Sequence, residues 1–149
     1  MHQLSNRLIH LSSSILVALT IVVLFSCSSG GGDPYAHLAT AIDCVNKADA
    51  IMDQAGSTIS KEDSKKIDNF YRTALKEAKR IDFTSMNKDY ATLGDRCKGE
   101  LKKSLEWILE GDRKNDLRIQ AAGVVLLARF IEWYQSIKDE IRKSSVIDK

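Results

Sequence analysis

The residues of this chain with the chemistry of nucleophiles, metal ligands or redox groups are few: three cysteines, Cys27, Cys44 and Cys97, and, beyond the amino-terminal apolar run, the single histidine His37. No Cys-x-x-Cys pair and no cysteine–histidine spacing of the zinc or redox type is present. One histidine cannot make a two-histidine metal site, and a Ser–His–Asp or Cys–His arrangement would have to turn on His37 alone. A surface position near the start of a helix accounts for His37 better. The stretch "SSGGGD", Ser28 to Asp33, lacks the lysine and the strand-to-helix setting of a phosphate-binding loop. Glu106, Glu110 and Asp112 gather late in one predicted helix, but lysines and arginines flank them, so they read as a solvated face. This inventory predicts no catalytic residue, no metal and no cofactor, and therefore a protein that is not an enzyme.

Binding is the chemistry left to consider. Trp133 falls at helical spacing from Phe130 and Ile137 and belongs in a core. Trp107 lies about 100° off the stripe through Leu105 and Ile108, which makes it the candidate partner-binding residue; packing under a neighbouring helix is the alternative. The net charge is +2, and basic pairs such as Lys65-Lys66 and Lys102-Lys103 are interleaved with acids along the whole chain. A nucleic-acid binder clusters its basic residues on one face, so no nucleic-acid partner is expected.

These residues must be positioned by helices. One proline in 149 residues, 7% aromatics and an abundance of Ala, Leu, Lys, Glu and Asp favour helix over sheet. Asp33-Pro34 is a start signal, and Tyr35, Leu38, Ile42, Val45, Ala48, Met52 and Ala55 mark a first helix that Gly56 stops. Ser60 caps a second, whose stripe runs Ile67, Phe70, Tyr71, Ala74, Leu75, Ala78, Ile81. Thr84 or Ser85 caps a third, carrying Met86, Tyr90, Leu93, Cys97, Leu101, Leu105 and Ile108 to Gly111, with a break near Gly94 as an open alternative. The fourth begins near Asp112 or Asn115 and continues to about Lys143; its middle, Ala121 to Tyr134, is apolar nearly all round and is expected to be the most buried helix. Short loops favour antiparallel neighbours, so the predicted fold is all-α, a four-helix, up-down antiparallel bundle.

The amino-terminal segment determines where this domain sits. Met1 to Arg7 carries one basic residue and no acid, and "ILVALTIVVLF", Ile15 to Phe25, has the length of a signal-peptide apolar region, a transmembrane anchor being the alternative. The run ends in "LFSC", Leu24 to Cys27, which resembles the lipobox of bacterial lipoproteins. That resemblance covers the first 27 residues and implies a diacylglycerol thioether on Cys27, cleavage after Ser26 and acylation of the freed amine. Two or more acyl chains anchor stably where one binds only marginally. Ser28 stands where an aspartate retains lipoproteins of this class in the inner membrane, which implies anchoring to the outer membrane, facing the periplasm. The expected organisation is a signal peptide over 1–26, a lipidated cysteine with a flexible tether over 27–33, and a helical domain over 34–149. The tether spans about 13 Å as a coil, which keeps the domain close to the bilayer.

Lipidation of Cys27 leaves Cys44 and Cys97 as a pair in an oxidising compartment, where a disulfide is the default and two buried free thiols the alternative. Cys44 lies about ten residues into the first predicted helix and Cys97 about twelve into the third, so their depths agree to about 3 Å if both helices run the same way. The first and third helices are therefore predicted to be adjacent and disulfide-linked, with the fourth packed against the other three. Size, export and a poor catalytic inventory point to a lipid-anchored binding protein of the cell envelope with a protein partner of unknown identity. In those broad features it looks like periplasmic immunity proteins that neutralise cell-wall-degrading toxins. The alternative is a structural or assembly factor docking onto an envelope complex.

Overall fold

The computed structural model describes residues 34–56 and 58–147. The expected export signal, Cys27, the expected tether and the start signal at Asp33 lie outside the described residues. Helix α1 spans Pro34–Ala55 and buries Leu38, Ala41, Cys44, Val45 and Ala48 at spacings of three and four. Helix α2 spans Lys61–Ala78 and is capped as expected: Ser60 Oγ accepts from the Asp63 N–H at 3.0 Å. The two form an antiparallel hairpin. His37 near the start of α1 lies 2.7 Å from Glu77 near the end of α2, which sets the register of the pair.

The predicted third helix is two helices, the alternative left open by Gly94. Helix α3, Phe83–Asp89, is capped by Asp82, whose carboxylate accepts from Thr84 and Ser85 N–H, both at 3.1 Å; the residues expected to cap are the donors instead. Tyr90 is extended and Thr92 adopts a left-handed φ of 71°, so the chain turns before helix α4, 93–114, begins. Asn87 joins the two by accepting from the Asp95 N–H at 3.2 Å. Gly94 is needed at this junction, because a Cβ there would collide with the Phe83 carbonyl. Within α4, the α-helical turn Leu93–Arg96 passes into a π-helical stretch, Cys97–Lys102, before the α-helix Lys103–Lys114. The helix ends on Asn115 in the left-handed region, φ 53°, four residues past the Gly111 stop. Helix α5, Leu117–Ile147, starts where Asp116 accepts from the Arg118 N–H at 2.9 Å.

The described residues thus form an all-α domain of five helices, with no strand, rather than the simple four-helix bundle predicted. Helices α4 and α5 form a second antiparallel hairpin, and α2 with α4 joins it to the first. The predicted fourth helix packs chiefly on α4 instead of lying over the other three.

The predicted disulfide is not formed. Cys44 and Cys97 are both free and both buried. Their depths matched only on the assumption of one continuous third helix; with the break at 90–92, Cys97 lies about 6 Å into α4. Helix α1 also packs chiefly on α2 and more lightly on α3, so the first and third predicted helices are not the expected neighbours along their length. Cys97 Sγ sits 4.0 Å from Met86 Sδ, two soft side chains filling one core position.

Candidate partner-binding face

Helices α4 and α5 approach closely because Gly123 faces the backbone of α4: a Cβ there would stand 2.8 Å from Ile108 N and 2.8 Å from Ser104 O. Ser104, fully buried in that seam, donates its hydroxyl to the Leu101 carbonyl at 2.7 Å. On the same side of α5, Leu127, Phe130 and Ile131 enter the core, and the Phe130 ring stacks on Tyr134 at 6.1 Å between centroids.

The opposite side of α5 is where expectation and structure part. Val125, about 200° around the helix from Gly123, is 59% exposed, and Leu117 and Val124 are 42% and 37% exposed. The helix expected to be the most buried therefore presents apolar side chains to solvent. Hydropathy records which side chains gain by leaving water, not whether a neighbour exists to cover them. Trp107 of α4 lies half-buried beside this face, with Lys103 Nζ 4.7 Å from its ring centroid. Trp107, Ala121, Ala122, Val125, Leu126 and Arg129 line an open hollow of about 380 Å³. Trp107 thus combines both of its sequence readings: it packs beside a neighbouring helix and keeps one edge on an exposed surface. Sequence reasoning missed Val125 and Arg129. The spacing Ala121, Val125, Arg129 is a single i, i+4, i+8 row, and it is hidden in the sequence because the opposite row is apolar as well.

The face lies far from the start of α1. Tyr35 Oη donates to Asp89 at 3.1 Å, and Tyr90 Oη donates to Glu140 at 3.1 Å. These bonds bring the start of α1, the end of α3 and the late part of α5 to one end of the molecule. Val125 precedes Glu140 by fifteen residues, about 22 Å along the helix axis, so the hollow lies toward the opposite end.

The other candidates are structural. Burial pushes the Cys97 thiol up to about 12 and also raises Cys44, so neither is a nucleophile at neutral pH. His37 is partly exposed and pairs with Glu77, whose carboxyl it holds below the usual range, helped by Arg80. Asp49 is raised to about 6 by loss of solvation and by the charge of Asp53 one turn on. Glu110 pairs with Lys114 at 2.6 Å and Glu106 stands 4.0 Å from Lys102, the solvated arrangement expected. Among the described residues no group of three or more His, Cys, Asp or Glu is placed to hold a metal, and no helix is long and apolar enough to cross a membrane. No family model matches the chain, and no match is found among curated proteins or solved structures.

Proposed function

We propose that this chain is a lipid-anchored helical binding protein of the bacterial envelope, tethered through Cys27 to the outer membrane on its periplasmic side. It binds a soluble protein through the Trp107 face, in the manner of an inhibitor or immunity protein. The observation that carries this reading is the apolar face around Trp107 and Val125, which no described helix covers. Contiguous exposed apolar surface beside a half-buried tryptophan is the usual composition of an interaction site. The lipobox-like end of the export signal supplies the anchor, and the distance of about 22 Å between the tether end and the face supports a partner that arrives from the aqueous side.

A photo-crosslinking residue at position 125 of the full chain, expressed in bacteria, tests this. The expected result is one adduct with a soluble periplasmic protein, absent when the probe stands at Lys65 on the exposed side of α2. Adducts with a large membrane assembly point instead to the structural or assembly role. No adduct at 125 overturns the reading. Mass spectrometry of the same material tests the anchor: a diacylglyceryl-cysteine at the amino terminus is expected, and an unmodified chain beginning at Met1 removes it.

A further inference from the structure

The charge around the hollow is predominantly basic. Arg129 lines it and Arg118 stands on the same side of α5, seven residues before Val125. Among the described residues neither has a carboxylate within ion-pair distance, and Lys103 spends its charge on the Trp107 ring rather than on an acid. The acids on the α4 side are already engaged, Glu110 with Lys114 at 2.6 Å and Glu106 near Lys102. Glu132, seven residues after Val125, is the acid of α5 on this same side. The rim therefore offers three cations, Arg118, Arg129 and Lys103, against the single acid Glu132 around an apolar floor.

We infer that this face takes an acidic amphipathic helix of a partner protein, an inference that rests on the proposed function and names the chemistry of its partner. The helix lies along the α4–α5 groove, seats an aliphatic or aromatic side chain between Trp107 and Val125, and sets carboxylates against Arg118, Arg129 and Lys103. Helix-in-groove recognition supplies the apolar part of the affinity and charge complementarity supplies selectivity and association rate. A second copy fits less well, because it brings the same excess of cations with only Glu132 to set against them. An anionic bilayer fits less well too, because the face lies about 22 Å from the tether end along α5.

The test is a selection from a displayed library of helical peptides of about 18 residues, long enough to lie along the groove, against the full chain in detergent micelles. Enriched peptides are expected to carry net negative charge with apolar residues at i, i+3 or i+4, and i+7. Their affinity is expected to fall about tenfold or more with Arg129→Glu and with Val125→Asp, to weaken with added salt, and to be unchanged by Lys65→Glu. Both positions are exposed, and Arg129→Glu carries the test if Val125→Asp fails to fold. Neutral or basic enrichment, no enrichment, or binding that survives both substitutions overturns the inference. So does a dimer dispersed by Val125→Asp in sedimentation, which makes a second copy the occupant. Face-dependent binding to phosphatidylglycerol vesicles does the same for a lipid surface. A cross-link at position 125 to a basic or neutral segment of a soluble protein leaves the proposed function standing and removes this inference alone; no cross-link at all removes both.

Discussion

The two hairpins of this domain solve one packing problem with different residues and finish their outer surfaces differently. In α1–α2 alanines hold fully buried positions on both helices, Ala41 and Ala48 on the first and Ala74 and Ala78 on the second. In α4–α5 the close approach is made by Gly123 lying on the backbone of α4. Small side chains let backbones approach in both cases. The outer surface of α1–α2 is laced with i, i+4 ion pairs, Lys47–Asp43, Lys66–Glu62 and Arg72–Asp68. Helix α4 carries such pairs too, Arg96–Glu100 and Lys114–Glu110, but α5 beside it keeps Val124 and Val125 in water. A hairpin that evolved only to be stable would be expected to look like the first. The second carries apolar area that adds little to folding, which is why the interaction site is proposed there.

The contrast can be broken first at the cores. Phe130→Ala removes a fully buried aromatic from the α4–α5 side and is expected to cost about 3–5 kcal/mol in urea unfolding. Leu38→Ala on the α1 side, also a loss of buried volume, is expected to cost somewhat less; a larger loss at Leu38 would make the first hairpin the dominant seam. Gly123→Ala comes next. The added methyl meets backbone atoms that cannot swing aside, so a loss of about 1–3 kcal/mol is expected despite the better helix propensity of alanine. A stabilised variant would mean that the hairpin opens without cost.

The pH dependence separates the hairpins further, because α1–α2 carries two carboxylates shifted in opposite directions. Glu77 is lowered, so its contribution is present above the ordinary glutamate pKa and is lost as pH falls through its folded value. Glu77→Gln is expected to cost about 1 kcal/mol at neutral pH and to flatten the acid limb of the stability curve. Asp49 is raised to about 6, so the folded state binds its proton more tightly and stability falls as pH rises from about 4 through 6. Asp49→Asn is expected to raise stability at pH 7 by less than about 1 kcal/mol, since the residue is exposed and solvent screens it. Equal pH profiles for wild type and both variants would remove the distinction. The smallest effect on folding belongs to the outer face: Val125→Asp is expected to change stability by no more than about 0.5 kcal/mol while lowering the affinity of the selected acidic peptides about tenfold or more, a separation no core position can give.

Much of this was legible in the residues. The start of α2 at Ser60, the end of α1 near Ala55 and the all-helical class follow from caps, glycine and apolar spacing within a few residues of each other, and local chemistry is enough to decide them. The odd cysteine count and the lipobox-like ending of the apolar run, Leu24 to Cys27, are likewise properties of the chain itself. What needed the tertiary structure is whatever depends on the neighbour an element finds. The break at Tyr90–Thr92 is invisible to periodicity because the apolar stripe keeps its phase across it. Cys44 and Cys97 match in depth on paper and do not meet, since helix order decides adjacency. The middle of α5 is apolar nearly all round, with Arg129 and Glu132 its only charged residues, so its sequence says little about which side is core. Only Gly123 pressed on α4, with Val125 left behind it, decides that one side is seam and the other is open surface.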